Sequence, residues 1–348
     1  MGVTRPNPRT RLAVEYVLPL RWLPDEDPGE LTEYLHRLSS WLDVTVVDGG
    51  EDDVFARHHR LWSPTVRHLR PQSWPGRNGK VAGVVTGLRV ARHERVVIAD
   101  DDVRCDRRGL TAVAALLEAF DLVRPQNVFE PLPWHARWDT ARSLLNRTFE
   151  ADYPGMYAVR RSTFLRMGGY DGDVLFENLE LSRTLAAAGG REICADSLFV
   201  TRRPPTARAF PPAARPVGLR RSRPTGSTGG RVRPIADPGH AARSRATSRE
   251  GRRAVAGIGL LTVGAATVAV AEYGRRKADE RAVFLASAPL WAPLWLLERA
   301  VCIWIALLHR MAGGMPYAGQ RIRLAAHSRP TLRAQRDRRF PDSAIMTI

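Results

Sequence analysis

Three consecutive carboxylates, Asp100-Asp101-Asp102, follow directly on the apolar run RVVIA at Arg95 to Ala99. Acidic side chains two residues apart, just beyond a strand's C-terminal end, stand where open α/β sheets bind their ligands. Asp100 and Asp102 can hold one divalent cation through hard oxygen ligands, with a diphosphate on its other side. A cation so placed offsets the charge that develops on a departing diphosphate. Taken alone, three aspartates also describe a solvated turn, so the surrounding elements decide between the two. Two more carboxylates, Glu177 and Glu180, open a helical pattern and, three apart, share a face of it.

The elements that must position these groups alternate in type over the first 200 residues. LAVEYVLPL (Leu12 to Leu20) is a β-rich run, and Leu31, Tyr34, Leu35, Leu38, Trp41 and Leu42 then recur at helical spacing. VTVV (Val44 to Val47) reads as a second strand, stopped by Asp48-Gly49-Gly50. A helix is predicted from about Gly79 to Ala91, then the buried strand RVVIA. Shorter units follow: a helix from Leu110 to Phe120, a strand from Gly155 to Val159, a helix from Phe176 to Ala188 closed by Gly189-Gly190, and a last strand from Ile193 to Val200. Strands alternating with helices predict an α/β fold with a mostly parallel sheet.

The order of the motifs closely resembles the nucleotide-sugar half of the family 2 glycosyltransferases. NGKVAGVVTGLRVARHERVVIADDDV, residues 78–103, is similar to that family's Gly-Lys helix, buried strand and D-x-D. Asp48 in VVDGG looks like the second-strand aspartate that contacts the nucleoside. GMYAVRRSTFLRMGGYDGDVLFENLELSRTLAAAGG resembles the acceptor half, where a GG-Y-D segment precedes an acidic motif opening a helix. The resemblance covers roughly residues 12–203. It implies a GT-A nucleotide-sugar-binding domain and an inverting transfer from a nucleotide-diphosphate sugar to an acceptor such as a lipid or a glycan. It further implies Mg²⁺ or Mn²⁺ at Asp100 and Asp102, with Asp48, Lys80, Asp100 and Asp101 serving the donor. An inverting transfer needs a carboxylate that removes the proton of the attacking hydroxyl. Where the family has Glu-Asp, this chain has Glu177-Asn178, so the base falls to Glu177, at the helix mouth, or to Glu180; Glu177 is favoured, and Glu180 is expected to be a surface or capping charge. The family's Arg-Trp motif after the last strand is missing.

The chain has 348 residues, a net charge of +17 and 44% hydrophobic residues, which excludes disorder throughout. Cys105, Cys194 and Cys302 form no metal-ligand spacing and exclude a disulfide scaffold, which suits a reduced cytosolic setting. No secretory signal pattern opens the sequence. Thirteen Arg between 203 and 253, against only Asp237 and Glu250, supply +11 of the +17. With eight Pro and neither helical nor strand period, that stretch reads as a disordered linker or as a segment translated out of frame. Only Phe210 interleaves its arginines, so nucleic acid is not the expected partner.

Ala254 to Tyr273 has one charge, Glu272, in 20 residues, enough to cross a bilayer. Val283 to Leu308 is interrupted by Glu298-Arg299 and reads as a tilted span or an interfacial helix. Basic residues before the first stretch and after the second fit a hairpin with both ends inside, whereas Arg275-Arg276-Lys277 between them speaks for a surface-lying second helix. The expected organisation is a catalytic domain over 1–202, a linker over 203–253, membrane-associated helices over 254–310 and a basic tail over 311–348, at the cell membrane with the catalytic domain cytoplasmic. Among the remaining candidates, His58, His59 and His68 are expected on a helix surface, and Trp62, Trp74, Trp134 and Trp138 as sugar-stacking, rim or core residues. Two other classes stay open: an inactive, membrane-tethered sugar-nucleotide-binding protein, and an Arg-rich binder of anionic lipid or nucleic acid.

Overall fold

The computed structural model describes residues 11–205, 246–277, 283–311 and most of 313–339. The Arg/Pro-rich stretch, from residue 206 to 245, lies outside the described residues, and so does the choice between linker and shifted frame.

The expected α/β architecture is present. An eight-stranded mixed sheet runs in the order β3 (Arg67–Leu69), β2 (Asp43–Asp48), β1 (Val14–Leu20), β4 (Arg95–Ala99), β7 (Met156–Arg160), β6 (Leu122–Phe129), β8 (Glu192–Arg202), β5 (Val103–Arg104). The pairs β1–β2, β1–β4, β2–β3 and β6–β8 are parallel; β4–β7, β6–β7 and β5–β8 are antiparallel. From β1 the chain steps outward to β2 and β3 and then returns to β4 on the other side of β1. The crevice at the C-terminal ends of β1 and β4 is therefore a topological switch point.

Alternation along β1 sorts its side chains onto two cores. Val14, Tyr16, Leu18 and Leu20 pack with Leu31, Leu35 and Leu38 of α1 (Gly29–Ser39) and with Leu110 and Val113 of α4 (Arg107–Leu116). Val17 packs on the opposite face with Val81, Val84 and Leu88 of α3 (Gly79–Val90), Phe164 of α6 (Arg161–Arg166) and Leu181 and Leu185 of α7 (Glu177–Ala187). The helix α3 lies directly on β1 because Gly87 has no side chain there: a Cβ would fall 2.2 Å from Val17 Cγ1. Several elements escape the sequence reading, the short β3, β5 and α6 among them. The helix α2 (Asp52–Trp62), the strand β6 and the helix α5 (Trp134–Thr148) carry too many buried polar or small residues to show an apolar period.

Two long apolar helices follow, α8 (Ala246–Arg276) and α9 (Ala292–Met311), and by length and composition each could cross a membrane. The C-terminal half of α8 and the start of α9 dock on α5, where Ala271, Phe284, Ala288 and Ala292 bury against Ala141, Leu144 and Leu145. Arg147 of α5 fixes the junction, donating to the carbonyls of Gly274 (3.0 Å), Lys277 (3.0 Å) and Asp196 (2.6 Å). The charges at the end of α8 are accounted for locally. Arg275 and Arg276 pair with Glu272, and Lys277 pairs with Asp196 and Glu150 on the α/β domain. The end of α8 thus lies against the α/β domain. Residues 255–263 of α8 are exposed, with Leu261 at 75%, and among the described residues of α9 Ala292 is buried while Pro293, Trp295, Glu298, Cys302, Ile305 and His309 form a narrow half-buried stripe. Beyond α9 the chain returns to the α/β domain through β9 (Met315–Tyr317), β10 (Gln320–Ile322) and α10 (Arg329–Arg339), and Leu332 of α10 is buried.

Candidate active site

Four chain segments meet at the switch-point edge. Asp100 follows β4, and its amide donates to the Gly155 carbonyl at 2.8 Å. Asn78 caps α3 by accepting from the Lys80 amide, which points the first turn of that helix, and Lys80 with it, at the same edge. The Lys80 ammonium bridges Asp100 Oδ1 at 2.6 Å and Glu177 Oε1 at 2.8 Å. Glu177 is the first residue of α7, and its other oxygen lies 3.5 Å from Asn78 Nδ2. Burial works to lower the Lys80 pKa, but the two carboxylates override it and hold the ammonium protonated well above its ordinary range.

The fourth segment supplies a residue that the sequence reading missed. Pairing of β5 with β8 sets Arg202 beside Asp102, where Nε and Nη2 reach the two carboxylate oxygens at 3.2 and 2.6 Å. The same Nη2 lies 3.7 Å from Asp100 Oδ2. Asp100 and Asp102 thus aim at one cationic centre, as hard oxygen ligands would aim at a divalent ion. Among the described residues no group of three or more His, Cys, Asp or Glu could hold a metal ion. A cation here would take its remaining ligands from water and from phosphate oxygens, the usual pattern for Mg²⁺. Asp101 turns the other way and accepts from Trp22 Nε1, beyond the end of β1. Burial first, and then repulsion from Asp102, raises its pKa.

Asp48, at the end of β2, is fully buried. Oδ1 accepts the Gly50 amide at 2.8 Å, while Oδ2 is 2.7 Å from His58 Nδ1 and 3.3 Å from His68 Nε2. Burial alone would raise its pKa; these hydrogen bonds outweigh it and keep the carboxyl well below the usual range. His58 and His68 are therefore interior residues, one on α2 and one on β3, contrary to their expected place on a helix surface. The Val54, His58, Trp62 spacing on α2 was the available signal. Through His58, 5.7 Å from the ring centroid of Trp22, the Asp48 and Asp101 ends of the crevice share one aromatic wall.

Glu180 is likewise interior rather than a surface charge. Fully buried, it accepts from the backbone amide of His327 at 2.7 Å and sits 2.8 Å from that residue's Nδ1. The tail thus closes over α7. Between the Gly168–Asp171 turn, α7 and α10 lies a cavity of about 900 Å³ whose lining includes Trp74, Tyr170, Asp171, Glu180 and Leu332. Of the other tryptophans, Trp62 is core, Trp134 is exposed and Trp138 donates to Glu298 of α9 at 2.5 Å.

Residues 55–125 match the family model of glycosyl transferase family 21. That segment carries Lys80 and Asp100–Asp102 but neither Asp48 nor Glu177, and the match is to family 21 where the motifs resembled family 2. No curated protein matches the chain. Several solved structures do. One is the mannosyltransferase PcManGT from Pyrobaculum calidifontis in complex with GDP-Man and Mn²⁺, at 23% identity and a TM-score of 0.39, covering 58% of this chain and 60% of that one. Mannosyl-3-phosphoglycerate synthase from Rubrobacter xylanophilus matches at 17% identity and 0.36, over 56% and 68%. S. aureus TarS in complex with UDP-GlcNAc matches at 11% and 0.39, over 56% and 59%. This chain therefore spans less than two thirds of the length of the first of them.

Proposed function

We propose that this chain is a membrane-associated glycosyltransferase with a GT-A domain, moving a sugar with inversion from a nucleotide-diphosphate donor to a lipid or glycan hydroxyl, with Mg²⁺ or Mn²⁺ as cofactor. The observation that carries the reading is the convergence of Asp100, Asp102, Lys80 and Glu177 at the switch-point edge. The family 21 match over the Lys80–Asp102 segment supports it.

The chain's own residues divide the work. Asp48 holds the Gly49-Gly50 turn at the nucleoside end of the crevice. Asp100 and Asp102 would hold the divalent ion, which supplies positive charge to the departing diphosphate. The Lys80 ammonium lies between Asp100 and Glu177, within a side-chain swing of both ends of the reacting bond. Drawn to the diphosphate, it offsets leaving-group charge and at the same time frees Glu177 from its ion pair. Glu177 then accepts the acceptor's hydroxyl proton while that oxygen attacks the anomeric carbon from the face opposite the diphosphate. The new C–O bond forms as the old one breaks, and the diphosphate leaves with the bonding electron pair. The exposed apolar stretch of α8 from Val255 onward and the outward face of α9 enter the membrane, with the catalytic domain on the cytoplasmic side.

The test is sugar release and transfer from a panel of nucleotide-sugars by the full chain in native membranes, with and without EDTA. The expected result is turnover of at least one donor, lost with EDTA and restored by Mn²⁺. Binding of a donor with no turnover under any condition would instead establish an inactive sugar-nucleotide-binding protein.

A further inference from the structure

Arg202 belongs to no motif, yet it is the most constrained cation in the crevice. Its side chain is only 12% exposed, and it forms a two-point pair with Asp102. The backbone is shaped around it: a Cβ at Gly155 would stand 3.0 Å from its Nε and Cζ and 3.1 Å from Asp100 Oδ2. Strand pairing fixes the seat from the other side, with Val103 opposite Arg202 and the Arg203 amide donating to the Asp102 carbonyl at 2.7 Å. The guanidinium therefore occupies the point on which both carboxylates converge.

We propose that Arg202 is a resident counter-ion that competes with the divalent cation for Asp100 and Asp102, so that the cation enters only together with a diphosphate. This deepens the metal-assisted reading above and rests on it. The physical reason is charge. While the guanidinium spans Asp102 and faces Asp100, and Lys80 takes the remaining Asp100 oxygen, a divalent ion meets carboxylates that are already neutralised. A diphosphate brings new anionic oxygens in a geometry that a guanidinium fork matches well. Arg202 then transfers from carboxylate to phosphate, the aspartates are released to the ion, and no charge is left unpaired at any stage. Arg202 is in this sense a positioning residue: it sets the order of binding, so that the ion and the diphosphate arrive together.

The experiment measures Mn²⁺ binding to the full chain in detergent, by titration calorimetry and by the paramagnetic resonance signal of free Mn²⁺. Mn²⁺ is titrated alone, and then in the presence of UDP or GDP. Wild type should bind Mn²⁺ weakly alone and much more tightly with one of the diphosphates. Arg202→Gln should bind Mn²⁺ alone about 10–100-fold more tightly than wild type, the loss of one charge-assisted pair, and should show a smaller gain from the diphosphate. Arg202→Lys keeps the charge but not the fork and should fall between the two; its thermal unfolding, with that of Arg202→Gln, establishes that the fold is intact. Equal Mn²⁺ affinity of wild type and Arg202→Gln without nucleotide would overturn the proposal while leaving the metal reading standing. No Mn²⁺ binding by either protein, with or without diphosphate, would overturn the metal reading and the proposal with it.

Discussion

Replacing Glu177 by Gln removes the base and little else. The change is isosteric, and the amide oxygen can still accept from Lys80, which in any case keeps Asp100 at 2.6 Å. Because the ammonium is not orphaned, the stability cost should be about 1–2 kcal/mol, below the ~3–5 kcal/mol for breaking a buried pair outright. The kinetic cost is of a different order. Loss of a positioned general base slows a reaction about 10²–10⁴-fold, which is about 3–5 kcal/mol of barrier. The assay is transfer of radiolabel from nucleotide-sugar into membranes, alongside calorimetric donor binding. Turnover should collapse while donor affinity stays within about threefold of wild type, since a ~0.6 kcal/mol change is the most that altered solvation of Lys80 should transmit. Glu180→Gln is the contrast. Glu180 is bonded to His327, so its loss should loosen residues 324–339 against α7 and lower the melting temperature with less effect on turnover. Near-normal turnover in Glu177→Gln with collapse in Glu180→Gln would refute the assignment and exchange the two roles.

Two further outcomes follow from buried charges. Asp48 has its pKa depressed in the folded state, so its contribution to stability is complete above the ordinary carboxylate pKa and is lost progressively as pH falls below about 4 toward the folded-state pKa; Asp48→Asn should be less stable by ~3 kcal/mol at neutral pH, and denaturant melts should show the gap to wild type narrowing steadily below about pH 4, whereas a pH-independent gap would contradict this. Arg147→Met leaves three carbonyls of the α5–α8 junction without their donor, at about 1–3 kcal/mol for each one that stays dry; faster amide exchange in 270–277 than in β1 is the expected sign, and unchanged protection would show that apolar packing alone holds the helices.

What the sequence revealed and what it hid divides along physical lines. The runs around β1, β2, α3 and β4 are apolar on both faces or on a clear period, so their order, and with it the place of Asp48, Lys80 and Asp100–Asp102, could be read directly. The strand β6 (LVRPQNVF) hides Arg124, Gln126 and Asn127 in the interior, Arg124 facing Glu192 in an ion pair, so its hydropathy resembles a loop. In α5 the buried face mixes Ala, Ser and Thr with His135, Arg147 and two Leu, too small and too polar to stand out beside three arginines and two tryptophans. Arg202 was masked by its neighbours, since it directly precedes a stretch where arginine is the commonest charge. Glu180 and His327 are 147 residues apart, and no local pattern joins them.

Calorimetric titration of the full chain with a panel of nucleotide-sugars in the presence of Mn²⁺, for wild type and for Asp102→Asn, decides whether Asp100 and Asp102 hold a sugar-nucleotide donor. At least one nucleotide-sugar should bind wild type, and Asp102→Asn, still folded by circular dichroism, should lose at least tenfold in that affinity, about 1.4 kcal/mol. Unchanged donor affinity in Asp102→Asn, or no nucleotide-sugar binding to wild type, would contradict this reading.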